Sequence, residues 1–262
     1  MWNKNKKIKI KTPEQIKALR EWWKILANIH EEVWKNVKVW VSTRELNEIA
    51  EKLCKKYNVI PSFKWYWWFP AVLCTSLNDI VVHWIPSKKD ILQDWDILKI
   101  DCWVYQQKVH SDSCRCYVVW KNPEAEHLSK VVKQAMLKWI RQAIPWNRIW
   151  DIENMVQKTI QRAWYCPIWD FTGHWVWEEL HEAPEIMNYW KKWTWAVIKE
   201  WMVLAIEPMA TNWKQKHCYV LEDDWSSVAK DYAIWAQWEH SVLITKDWPE
   251  LLTWDFDLDL KR

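Results

Sequence analysis

The stretch Asp96–Asp112, DILKIDCWVYQQKVHSD, constrains this chain more than any other. Its apolar residues Ile97, Leu98 and Ile100 read as a buried strand that delivers Asp101, and Asp112 arrives 11 positions later after a turn. If the two runs pair as an antiparallel hairpin, both carboxylates stand side by side at one end of a sheet. Carboxylates held that close repel each other unless they share a proton or a cation. Taken singly, such aspartates are ordinarily solvated turn residues. A divalent metal cluster is the simplest resolution for the pair, because hard carboxylate oxygens bridge two cations well.

The patterns around this stretch predict an α+β domain. Thr12-Pro13-Glu14 opens a helix whose apolar face runs through Ile16, Leu19, Trp23, Leu26, Ile29 and Val33. Ser42-Thr43-Arg44-Glu45 is a capping box that starts a second helix through Leu46, Ile49, Ala50 and Leu53. Short strand-like runs follow over 59–69 and 71–82, then the hairpin Asp96–Val119. Pro123–Ala143 and Asp151–Ala163 read as helices, and Met202–Ile206, Cys218–Leu221 and Ser241–Thr245 as strands. Two helices, strands, two helices, strands is an order that fits two halves related by duplication. The expected organisation is a basic arm over 1–11, one domain over 12–253 and a polar tail over 254–262.

Bulk properties exclude several classes. The 262 residues suffice for a substantial core, and a net charge of +3 is too mild to argue for specific nucleic-acid binding. Lys4, Lys6, Lys7, Lys9 and Lys11 read as a solvated arm, with docking onto a ribosome surface as the alternative. No apolar run reaches the ~18 residues of a membrane span. The 7 scattered cysteines fit reduced thiols and a cytoplasmic location. The abnormal number is 29 tryptophans against a single glycine, Gly173. Tryptophan stands where a turn calls for glycine in Asn212-Trp213-Lys214, Asp94-Trp95-Asp96, Pro145-Trp146-Asn147 and Asp247-Trp248-Pro249. Such turns need φ > 0, which glycine adopts freely. We therefore read most of these tryptophans as standing for glycine. Some lineages read UGA as glycine, and that codon is tryptophan in other codes.

Further residues of metal-ligand type lie at the edges of apolar runs. They are His174 after Gly173, His181, Glu207 after Met202–Ile206, and Glu239 in Ala236-Gln237-Trp238-Glu239-His240. Two Asp, two Glu and one His form an oxygen-rich set that suits Mn, Fe, Co or Zn. The stretches Phe69-Pro70, Cys74-Thr75-Ser76-Leu77-Asn78 and His83-Trp84-Ile85-Pro86 precede Asp101 and Asp112. Gly173-His174-Trp175-Val176-Trp177, His181-Glu182-Ala183-Pro184 and Glu207-Pro208-Met209 follow them. Over about residues 12–253 the chain resembles the type I methionine aminopeptidases. With glycine at 84, 175 and 177 the motifs become HGIP and GHGVG, as in that family. Trp225 matches a tryptophan of the family and Trp238 a usual aromatic.

The resemblance implies a pseudo-twofold "pita-bread" fold, an antiparallel sheet with flanking helices, and roles for single residues. Asp101 would chelate one of two divalent metal ions, Asp112 and Glu239 would bridge them, and His174 and Glu207 would complete the second site. His83 and His181 would contact the scissile amide, with Glu207 as proton acceptor. Phe63, Tyr66, Cys74, Leu180 and Trp225 would receive the methionine side chain. The implied activity is removal of the N-terminal methionine from nascent polypeptides, by attack of a metal-bridged hydroxide, in a monomer that prefers a small second residue. One alternative is an Xaa-Pro peptidase of the same fold, although those usually carry an extra N-terminal domain. The other is a binding protein without activity, which follows if the tryptophans are literal and crowd His174.

Overall fold

The computed structural model describes residues 10–64, 66–107, 109–176, 181–189, 196–212 and 216–253. Two helices come first, α1 (Pro13–Trp34) and α2 (Thr43–Tyr57). Both start on complete capping boxes, Thr12 with Gln15 and Ser42 with Glu45, so two otherwise orphaned amides at each helix start are satisfied. The chain continues through β1 (Ile60–Pro61), a 3₁₀ turn at Tyr66–Trp68, β2 (Leu73–Leu77) and β3 (Ile80–Val82). The hairpin β4 (Ile97–Gln106) and β5 (Val109–Val118) leads into α3 (Pro123–Gln142) and α4 (Ile149–Arg162).

The second half is built from shorter strands. They are β6 (Cys166–Pro167), β7 (Thr172–Trp175), β8 (Glu182–Met187), β9 (Val203–Ile206) and β10 (Met209–Thr211). After them come β11 (Cys218–Val220), β12 (Ser227–Ala229), β13 (Trp235–Gln237), β14 (His240–Leu243) and β15 (Glu250–Leu251). All strand pairings are antiparallel, in the sheets β1-β4-β2 with β5 on β4, β15-β14-β9-β7-β8, β13-β10-β6 and β11-β12-β3.

Period-two alternation fixes what β4 presents. Leu98, Ile100, Cys102 and Val104 pack into one core with Leu26, Ile29 and Val33 of α1 and Leu46 and Ala50 of α2. The intervening residues, Asp101 and Trp103 among them, point to the opposite face. In the second half, Leu204 and Ile206 of β9 join Val132, Met136 and Trp139 of α3 and Ile152 and Val156 of α4 in another core. Each half is thus a sheet backed by a helix pair. Among the described residues no helix is long and apolar enough to cross a membrane.

The helix expectations agree with the structure to within two residues at each end, except that α2 runs on four residues past Leu53 to Tyr57. The expected placement of the two aspartates at the end of the sheet does not. Asp101 is the fifth residue of β4, which runs on to Gln106, and Asp112 is the fourth of β5. Both faces of this hairpin are buried, so its strands continue past the point where one-sided burial would stop them. Of the four expected turns, Trp95 and Trp146 do take positive φ, at 76° and 79°. Trp248 does not, and 213–214 lie outside the described residues.

Candidate metal centre and substrate pocket

The register of the hairpin brings the aspartates together. Asp101 pairs with Cys114, and Trp103 with Asp112, so both carboxylates share the face turned away from α1 and α2. Opposite them stands the five-stranded sheet. His174 pairs with Ala205 of β9, and Glu207 lies two residues beyond Ala205 in the same alternation. The pairing of β7 with β8 shifts register between Gly173 and Trp175, which re-aims the intervening histidine. Gly173 permits this, because a Cβ there would lie 2.6 Å from the Ala205 carbonyl oxygen. Glu239 is held between β13 and β14 by its own amide, which donates to the Cys114 carbonyl at 2.8 Å. Ser241 Oγ donates to the Asp112 carbonyl at 2.8 Å and ties the two halves on the same line.

Five side chains expected from the sequence therefore converge. His174 Nε2 is 3.5 Å from Asp112 Oδ2 and 3.5 Å from Glu207 Oε1. Ligand atoms of Asp112, His174 and Glu239 all lie within 4.8 Å of one another. Asp101, Asp112, Glu207 and Glu239 are all buried. Burial raises Asp101 to about 7. Burial first, and then the neighbouring carboxylates, push Asp112, Glu207 and Glu239 well above the ordinary carboxylate range. Burial and the ring of His181 hold His174 well below its usual value, which favours the neutral imidazole. Among the described residues no N–H or hydroxyl donates to either oxygen of Asp112 or to Oε1 of Glu239, which face the other acidic groups of the cluster. A buried carboxylate without a donor is costly. Four carboxylates, one neutral imidazole and orphaned oxygens aimed at one another are a donor set that fits divalent cations.

Beside this cluster lies an apolar group of packed side chains, the candidate pocket for a substrate side chain. Phe63, Phe69, Ala71, Cys74 and Trp103 pack together, with Trp225 and Ile85 against them. Tyr66 is at its rim, with its ring 6.5 Å from that of Trp225. Leu180 lies outside the described residues. His83 faces the pocket, with its ring 6.0 Å from Trp225 and 5.7 Å from Phe171. His181 stacks its edge on His174 at 4.5 Å. Enclosure by protein lowers both His83 and His181 to about 4, and the charge of His181 contributes for His83. Both rings are neutral near pH 7.

Two residues of the site escaped the sequence reading. Trp103 lies between the cluster and the pocket. Its indole donates to Asp101 Oδ1 at 3.0 Å, and its ring is 5.4 Å from His174 and 5.1 Å from His181. Gln237 donates to Glu207 Oε2 at 3.2 Å and fixes that carboxylate. Both could have been found by counting two along a strand, from Asp101 and from Glu239.

Comparison with known proteins agrees with this geometry. The profile of metallopeptidase family M24 matches residues 17–246. The methionine aminopeptidase of Clostridium acetobutylicum is 36% identical over 248 residues, covering 93% of this chain and 98% of that one. Methionine aminopeptidase 1 of Bacillus subtilis is 35% identical over 244 residues, again covering 93% and 98%. The crystal structure of the methionine aminopeptidase of Thermotoga maritima superposes with a TM-score of 0.91 at 32% identity, over 95% of this chain and all of that one. The prolidase of Pyrococcus horikoshii, at 21% identity and a TM-score of 0.75, shares the fold over 95% of this chain and 65% of its own. The chain has the pita-bread fold and belongs to metallopeptidase family M24, among the methionine aminopeptidases.

Proposed function

We propose that this protein removes the N-terminal methionine from nascent polypeptides, using two divalent ions drawn from Co, Mn, Fe or Zn. The carrying observation is the cluster of Asp112, His174 and Glu239 beside the apolar group of Phe63, Cys74 and Trp103, which Trp103 joins through its bond to Asp101. Methionine is unbranched and polarisable, and an aromatic pocket with a sulfur neighbour suits it. Asp101, Asp112, His174, Glu207 and Glu239 would hold the cations, which would supply Lewis-acid activation of water and of the scissile carbonyl.

The chain's own groups do the rest. Glu207, at the edge of the cluster beside His174, would take up the proton of the attacking water and return it to the leaving amine. Gln237 holds that carboxylate in place. His181, neutral and against His174, is placed to donate to the oxyanion, and His83 to the scissile amide. A preference for a small second residue, a monomeric state, a cytoplasmic location and contact of the arm over 1–11 with the ribosome belong to the same reading.

The test uses protein isolated from its own cells, loaded with Mn or Co, on Met-Ala-Ser and on an Xaa-Pro dipeptide. Methionine release that stops with chelator is expected. Cleavage of the Xaa-Pro substrate alone would replace this reading with the prolidase-like one.

A further inference from the structure

Among the described residues, seven of the 13 non-glycine residues with positive φ are tryptophans: Trp40, Trp67, Trp68, Trp95, Trp146, Trp164 and Trp201. Each sits in a turn whose hydrogen bonds define its type. Val41 N donates to Lys38 O, Asp96 N to Gln93 O, Asn147 N to Ile144 O and Met202 N to Lys199 O. In all four turns the tryptophan is the third residue and alone has positive φ, which is the type II pattern that calls for glycine there. Phe69 N donates to Tyr66 O around Trp67 and Trp68, both left-handed, as in a type I′ turn. After α4, Tyr165 N donates to Ile160 O and Trp164 N to Gln161 O. That is a Schellman motif with tryptophan at its left-handed position, where glycine is usual. The remaining left-handed residues include Asn58, Asn78 and Asp224, types that tolerate this region.

A second symptom is independent of backbone. The indole N–H groups of Trp22, Trp23, Trp139, Trp150, Trp175 and Trp235 are buried without an acceptor, whereas a buried tryptophan ordinarily finds one. Trp238 behaves differently, donating to Ser129 Oγ at 2.9 Å. At Trp103 the indole does find an acceptor, but a ligand carboxylate of the candidate centre. Its indole fills the space between the carboxylate cluster and the pocket of Phe63 and Cys74, and it occupies an oxygen of Asp101 that a cation would need.

We infer that the codons at 40, 67, 68, 95, 146, 164 and 201 are decoded as glycine in this protein's own cells, and that position 103, decoded likewise, opens the methionyl pocket onto the metal centre. The statement about position 103 rests on the function proposed above; the statement about the turns does not.

The test is tandem mass spectrometry of the tryptic peptides Val39–Arg44 and Ile100–Lys108 from the protein isolated from its own cells. Glycine is expected at 40 and at 103. Tryptophan at 40 overturns the decoding, and glycine at 40 with tryptophan at 103 overturns the opened pocket. Two synthetic genes give a second measurement, one with tryptophan and one with glycine at all eight positions. The glycine chain should melt well above the other and bind Mn at least about tenfold more tightly, on the scale of a perturbed ligand shell. Equal melting temperatures and affinities would count against the inference. Glycine in the peptides without methionine release would sink the proposed function alone.

Discussion

The two strand systems that supply the ligands are built on different principles. The hairpin β4–β5 pairs ten residues with ten in unbroken register from Ile97–Val118 to Gln106–Val109. Its ligands are aimed by alternation alone. In the facing sheet β7 and β9 are four residues each, with a register shift at His174 and a backbone contact that tolerates no Cβ. Its ligands are aimed by irregularity. A regular hairpin absorbs sequence change that leaves its apolar alternation intact, whereas the irregular sheet depends on single atoms.

The largest expected effect treats both systems alike. Asp112→Asn in the hairpin and Glu239→Gln beside the sheet should each lower methionine release more than about 100-fold, beyond the loss caused by an outer-shell partner. Metal content measured after dialysis should fall in both; retention in one would assign the centre to the other system. Next comes acid sensitivity at His83, between the two. Its folded pKa lies near 4 against an ordinary 6.5, so the unfolded chain takes up the proton first as pH falls. The cost to folding begins below pH 6.5 and is complete near pH 4, on the order of 3 kcal/mol. His83→Phe should flatten the decline of denaturant midpoint over that window, and an unchanged slope would assign it to other groups.

Gly173→Ala should cost about 1–3 kcal/mol by forcing the Ala205 carbonyl aside. It should also loosen metal binding. A variant as stable as the parent would show that the sheet is more compliant than the contact implies. The smallest effects lie in the backing helices. Ser42→Ala on the hairpin side and Asn122→Ala on the other remove side-chain caps on Glu45 N and Ala125 N, each worth about 1 kcal/mol by urea unfolding.

The same contrast governs what could be read from sequence. The helices were legible because Thr12, Ser42, Pro13 and Pro123 mark their starts and their apolar faces recur over several turns. The hairpin was legible as a pair of strands, and its ligands as a pair, but two-sided burial hid how far it runs. The strands β6, β10 and β13 were not legible, since two or three residues carry no period. His174, Glu207 and Glu239 were found as residue types at the edges of apolar runs, and the resemblance gave them roles. Their convergence rests on the β7 register shift and on the Glu239 amide, neither of which leaves a mark in the string. Trp103 was missed because a tryptophan in an apolar strand reads as ordinary core.

The bond from Ser241 Oγ to the Asp112 carbonyl joins residues 129 positions apart. Closing so long a loop is entropically late in folding, and the contact cannot form while the C-terminal third is still being synthesised. A chain that has emerged only as far as α4 carries both aspartates but no histidine or glutamate of the cluster. The centre therefore matures as a single event once the last strands dock. Until then the hairpin holds two mutually repelling carboxylates best kept protonated, and the arriving sheet acts as a clasp that closes the two halves of the molecule on one another.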